Sequence, residues 1–246
     1  MDILDLATGT VLRVYKPYTW TSFDVTKKIQ RLVLRKLKRQ SRKLAEGKRK
    51  VKVGHAGTLD PLATGLLIVC IGKETKNIEK YMGMPKEYTG AFYLGATTPS
   101  FDKETAVDQS FDISSITDAA IYAAAKQLTG ELDQVPPLFS AIKKDGVRAY
   151  QMARAGSDVQ LASRKVLVLE FEITDIQLPL VSFRISCSKG TYIRSLARDF
   201  GKLLHNGAYL DSLCRTKIGN FDLGQAITVE ELAEICGEPM KFKAKA

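Results

Sequence analysis

The sequence predicts an α+β fold, a single domain over residues 1–246 built on a mostly antiparallel mixed sheet with helices and loops around it. Three observations point there. Strand-like and helix-like segments are mixed along the chain without a regular βαβ period. Two segments, 165–176 and 180–188, flank a turn near Pro179 and have the length and β-branched content of an antiparallel pair. No repeat, linker or low-complexity break marks a second domain, and 246 residues with 45% hydrophobic content suffice for a packed core.

Taken in order, residues 10–16 read as a strand, and the turn Lys16-Pro17-Tyr18-Thr19 leads into a helix opened by Thr21 with Asp24 three positions on, a capping-box pattern. Val25, Ile29 and Leu32 share one face of that helix, which fades into a basic segment and ends near Gly47. Residues 53–65 are a glycine-punctuated loop, and the wholly apolar run 66–71 reads as a buried strand. A helix is expected at about 75–83 and an alternating strand at 87–95. Thr117 is the expected N-cap of an alanine-rich helix to about Leu128, after which Val135-Pro136-Pro137 forces extended chain. Another helix lies near 147–155, stopping at Gly156. After the 165–188 pair come the loop at Lys189-Gly190, a helix from about Tyr192 to Leu204 and a strand at 212–219. A last short helix is introduced by Thr228 with Glu231, and KFKAKA reads as a frayed tail.

Composition removes several function classes. No run of eighteen apolar residues exists, and the start MDILDLATGT lacks a basic segment followed by an apolar one, so a cytoplasmic location and no membrane contact are expected. Cys70, Cys187, Cys214 and Cys236 are far apart with no C-x-x-C pair, and His55 and His205 lack ligand spacing, so no metal is expected. Charge is concentrated: of the net +10, Lys27–Lys52 holds thirteen Lys or Arg against the single acid Glu46, a local +12 that leaves −2 for the remainder. Such density fits a polyanionic partner, and a solvated lysine-rich insert is the plain alternative. Nucleic acid outranks membrane because Ile29, Leu32, Val33 and Leu37 suit a core-facing helix without accompanying aromatics.

One stretch is too particular for ordinary loop composition: Gly54-His55-Ala56-Gly57-Thr58-Leu59-Asp60-Pro61-Leu62-Ala63-Thr64-Gly65. It resembles the catalytic motif of the TruB family of tRNA pseudouridine synthases. Further matches stand in the family's order: Lys16-Pro17 with Thr21-Ser22; Lys86-Glu87-Tyr88; Val135-Pro136-Pro137 with Ser140-Ala141 and Lys143; and Cys187 through Arg194. They cover roughly residues 12–219. The resemblance implies an isomerase that turns the uridine at position 55, in the T-loop of tRNA, into pseudouridine after flipping the base. Nothing is oxidised and no atom is gained in that reaction. No cofactor is therefore expected, only a nucleophile beside the sugar and a pocket for the loose uracil.

By the resemblance, Asp60 is the catalytic aspartate. An ionised carboxylate can add to C6, attack the ribose carbon or take a ribose proton, and the sequence does not choose among these. Alone, Asp60-Pro61 would be a turn starter. Arg194 resembles the arginine paired with that aspartate, and a guanidinium there would keep the carboxylate ionised. Tyr88 matches the active-site tyrosine expected to stack on uracil and help remove the C5 proton. Tyr192 and Leu213 match pocket residues, His55 the residue associated with the RNA loop, and Lys16 the support of the pocket. Outside the motifs Tyr88, Tyr192 and Leu213 would read as ordinary core, His55 as a hydrogen-bonded loop histidine and Arg194 as a surface arginine in the first turn of a helix.

The chain departs from the family in three places. Many members continue into an RNA-binding domain of the PUA type, whereas only about 25 residues follow the last matched strand here, too few for an independent domain. The basic insert, about 35–52, looks long and is expected to take over phosphate contact through Arg35, Lys36, Lys38, Arg39, Arg42 and Lys43. The loop 96–102 keeps Thr98 and Asp102 of the family pattern, with Pro99 and Phe101 its own. The expected partner is the T-arm of tRNA; no DNA and no protein partner is implied, and a monomer is expected. An RNA-binding or tRNA-folding protein without essential catalysis, and a guide-dependent ribonucleoprotein synthase, are the competing readings.

Overall fold

The computed structural model describes residues 9–40, 51–140, 142–144, 146–154 and 161–238. The elements begin with β1 (Thr10–Lys16), α1 (Ser22–Gln40), β2 (Val53–His55), β3 (Thr64–Ile71), α2 (Ile78–Gly83) and β4 (Lys86–Leu94). There follow β5 (Ala96–Thr97), β6 (Gln109–Ser110), α3 (Asp118–Gln127), β7 (Gly130–Gln134), β8 (Lys143–Lys144), β9 (Val147–Arg148) and α4 (Ala149–Arg154). The chain closes with β10 (Arg164–Gln177), β11 (Leu180–Cys187), α5 (Ile193–Leu203), β12 (Ala208–Ile218), β13 (Phe221–Asp222) and α6 (Val229–Ile235). These group into two compact units, one drawn from Met1–Met84 and Cys214–Ala246, the other from Pro85–Leu213.

In the first unit the apolar run of β3 is central because it is covered on both faces. Leu67, Val69 and Ile71 join Leu12, Val14, Val229 and Leu232 beneath α1. Leu66, Ile68 and Cys70 face the other way, onto Ala56, Tyr81 and Ile218, as the two-residue period of a strand requires. β1 lies antiparallel along one edge of β3, from Thr10 opposite Ile71 to Lys16 opposite Gly65. The other edge is shared by β2, with His55 opposite Val69, and by a parallel contact of β12 at Cys214 and Arg215.

α1 starts where its sequence says it should. Thr21 Oγ1 accepts from Asp24 N at 3.0 Å, and Asp24 Oδ2 accepts from Thr21 N at 3.0 Å. Val25, Ile29, Leu32 and Val33 are fully buried, each contributing about 1.5–3 kcal/mol of apolar burial, so the helix is held down along one whole stripe. Arg39 caps the far end of α6 by donating to Gly237 O at 2.7 Å and Cys236 O at 3.3 Å, and Arg35 Nη1 meets Glu238 Oε2 at 2.7 Å. Two of the six cations expected to bind phosphate are thus engaged within the protein. Arg42 and Lys43, the expected helix end at Gly47, the stop at Gly156 and the KFKAKA tail lie outside the described residues.

The second unit is antiparallel in the order β4-β11-β10-β7, with Tyr88 opposite Ile185 and Arg164 opposite Gln134. Its core is aromatic: the rings of Phe92 and Phe183 lie 4.4 Å apart and those of Phe92 and Phe200 5.4 Å apart. Gly90 of β4 packs so close to β12 that a Cβ there would stand 2.1 Å from Ser212 O. α3 carries the expected cap, Thr117 Oγ1 accepting from Ala120 N at 3.3 Å.

Candidate active site

The loop from Gly57 to Ala63 hangs between β2 and β3, and buried side chains hold its backbone at several points. Ser22, 1% exposed at the start of α1, accepts from Leu59 N at 2.9 Å and donates to Leu59 O at 3.2 Å. The ammonium of Lys16, wholly buried, donates to Trp20 O at 2.6 Å, Pro17 O at 3.0 Å and Pro61 O at 3.3 Å. Arg215, 1% exposed, reaches across from β12 to Leu66 O at 2.8 Å and Gly57 O at 3.1 Å. Thr19 N donates to Pro61 O at 2.9 Å, and Ala63 N closes a turn on Asp60 O at 3.1 Å. Asp60 is thereby presented, half-buried, on a backbone fixed on either side of it.

Two glycines make this geometry possible. Gly65 has φ +105°, and a Cβ on it would lie 2.4 Å from Arg215 O and 2.6 Å from Arg215 N, so no side chain fits between β3 and β12. Gly57, at φ +94°, turns the chain beside the Arg215 guanidinium.

The electrostatics follow from burial among cations. Desolvation pushes Lys16 down to about 8, the charge of Arg215 adds to this, and the carboxylates of Asp60 and Asp24 oppose it. At neutral pH Lys16 remains cationic beside Asp60. His55, at the end of β2, is held below its ordinary value first by burial and then by Arg215, which leaves a neutral imidazole at pH 7.

The second unit carries the remaining predicted residues. Tyr88 lies on β4 at 9% exposure. Arg194, 3% exposed in the first turn of α5, donates to Phe139 O at 2.9 Å and Ser100 O at 3.2 Å, and its Nε lies 3.6 Å from Asp102 Oδ2. Buried next to a carboxylate and two carbonyls, the guanidinium is fixed in orientation. Tyr192 is gripped twice. Gln134 accepts from its N–H at 2.8 Å and donates to its carbonyl at 3.1 Å, while the Arg164 guanidinium lies 4.7 Å from its ring centre. Leu213 is half-buried on β12.

Lys16, His55 and Asp60 therefore belong to one unit, and Tyr88, Tyr192, Arg194 and Leu213 to the other. Ser22, Gln134, Arg164 and Arg215 were not among the predicted site residues. Ser22 belongs to the recognised Thr21-Ser22 motif and Gln134 stands next to Val135-Pro136-Pro137, whereas an arginine on a strand pattern such as Cys214-Arg215-Thr216 carries no local signal that it turns inward. Burial makes the thiols poor nucleophiles: Cys70 is pushed up to about 12 and Cys187 to about 11. Among the described residues no helix is long and apolar enough to cross a membrane.

Comparison with known proteins agrees with the motifs. Residues 42–193 match the family described as TruB family pseudouridylate synthase (N terminal domain). The tRNA pseudouridine synthase B of Flavobacterium johnsoniae is 53% identical over 221 residues, covering 90% of this chain and 93% of the relative. That of Phocaeicola vulgatus is 46% identical over 226 residues, 92% of each. Among solved structures, a Cbf5-Nop10-Gar1 complex superposes with a TM-score of 0.67 at 28% identity over 91% of this chain, which spans 53% of the protein matched.

Proposed function

As this chain belongs to the TruB family of pseudouridylate synthases, we propose that it isomerises a uridine of transfer RNA to pseudouridine, at position 55 in the T-loop, with Asp60 as the nucleophile. The reaction breaks the bond from N1 to the ribose carbon C1′, turns the uracil, joins C5 to C1′ and moves the C5 hydrogen to solvent while N1 gains a proton. Atoms and electrons balance with no added reagent.

The observation that carries this reading is the fixed loop. A nucleophile gains most when its position does not have to be organised during the reaction, and Asp60 sits on backbone tied to Ser22, Lys16 and Arg215. The buried ammonium of Lys16 supplies a positive charge beside it. Tyr88 serves as stacking surface and proton carrier for C5, and Arg194 as the charge that accompanies Asp60 in the reaction. Tyr192 and Leu213 line the space for the base. The neutral ring of His55 takes the place of the extruded base in the RNA stack, an exchange that needs no charge.

The chain acts on the T-arm as a monomer in the cytoplasm. Curated relatives of nearly the same length carry the name tRNA pseudouridine synthase B, which favours free tRNA over a guided substrate. The test is tritium release from unmodified tRNA labelled at C5 of uridine, with no guide RNA or added protein. Release stoichiometric with position 55 supports the proposal, and RNA binding without release would replace it with a tRNA-folding role.

A further inference from the structure

We infer that the outer face of α1 is a track for the phosphate backbone of the RNA strand flanking the target uridine, made by Lys27, Arg31 and Lys38 with Phe23 at its head. The inference rests on the RNA substrate proposed above.

Four observations carry it. Lys27, Arg31, Arg35 and Lys38 are all exposed, and their spacing of four, four and three residues puts them in a single row on the helix surface. The step of four from Lys27 to Arg31 rises about 6 Å, a spacing that suits consecutive phosphates along a nucleic-acid strand, and Lys38 follows about 10 Å further on. The opposite stripe, Val25, Ile29, Leu32 and Val33, is fully buried, so the row is rigid and its side chains need only local ordering to bind. The row also starts at the catalytic loop, because Ser22, the first residue of α1, is bonded to Leu59, next to Asp60. From Ser22 the cations lie about 8 to 24 Å along the axis, the direction a strand would take on leaving a nucleotide held at Asp60.

The head of the row is aromatic. Phe23 is 65% exposed, and Lys27 Nζ lies 5.7 Å from its ring centre, a pair that offers one face to a base and one charge to the phosphate after it. Arg35 stands in the row but meets Glu238, and Arg39, outside it, caps α6, so these two hold the protein together and are not counted in the track.

The experiment measures RNA affinity against salt for wild type, the triple variant Lys27→Gln, Arg31→Gln, Lys38→Gln, each single variant, and Arg39→Gln, using an unmodified T-arm RNA. Each neutralised phosphate contributes about 0.7–0.9 to the slope of log affinity against log salt, so the triple variant should lower the slope by about 2–3 and each single variant by about 1. Arg39→Gln should keep the wild-type slope and melt earlier. A wild-type slope in the single and triple variants would overturn the track while leaving wild-type catalysis untouched. A wild-type protein that binds RNA with the predicted slope yet releases no tritium would instead strike the functional reading and spare the track.

Discussion

Replacing Ser22 by alanine removes one oxygen atom, and two hydrogen bonds with it. Leu59 N and Leu59 O lose the partners they now have at 2.9 and 3.2 Å, at a place where Ser22 is 1% and Leu59 4% exposed. A buried backbone group left unsatisfied costs about 1–3 kcal/mol, and a loop that stays in place would leave two. Together they would lower stability by about 2–6 kcal/mol, or the melting temperature by roughly 4–24 °C for a chain of this size. The alternative is that the loop shifts to let water in, and Asp60, one residue on, shifts with it. A displacement near 1 Å is enough to lower kcat by about 100-fold. Single-turnover tritium release with saturating RNA separates the effects when read beside Thr21→Ala, which removes the α1 cap for about 1 kcal/mol. Thr21→Ala should melt earlier and keep kcat, while Ser22→Ala should lose kcat with little change in RNA affinity. A Ser22→Ala enzyme with wild-type kcat would refute the idea that this contact positions the nucleophile.

Other changes probe the remaining contacts. Tyr88→Phe keeps the ring and should fold normally while losing about 10²–10⁴-fold in kcat, which single-turnover kinetics would measure. Arg194→Lys keeps the charge but cannot span Ser100 O, Phe139 O and Asp102 together, so thermal melting should fall and activity should not return at any pH between 6 and 9. Lys16 gives a pH signature: its folded value, about 8, lies below the ordinary lysine value of 10.5, so between these limits the unfolded chain binds more protons. Stability should therefore rise with pH across that window in wild type relative to Lys16→Met, and parallel stability curves for the two proteins would contradict the burial of the ammonium. Gly65→Ala, whose Cβ would lie 2.4 Å from Arg215 O, should be expressed poorly or melt far below wild type.

The elements that sequence located best are those with a local cause. The Thr21–Asp24 and Thr228–Glu231 capping boxes, the Thr117 cap and the antiparallel 164–187 pair all formed where their residues indicate. Boundaries moved where tertiary contact decides. The expected helix at 75–83 begins as a 3-10 turn at Gly72, and the expected strand 212–219 starts at Ala208. The parallel contact between β3 and β12 has no local signature, since it joins residues about 150 positions apart through Gly65 and Arg215. Arg215 was invisible for the same reason: its two backbone acceptors, at Gly57 and Leu66, are assembled only by the fold. The basic run was legible as charge, but which cations face outward and which, like Arg39, tie α1 to α6 depends on helix phase and on where Glu238 lies.

The central claim is that the Asp60 carboxylate, and not merely the architecture around it, performs the isomerisation. Asp60→Asn keeps shape and volume and removes the negative oxygen. With unmodified tRNA labelled at C5, the variant should bind with wild-type salt dependence and release no tritium over many wild-type turnovers. Release at the wild-type rate would contradict the account.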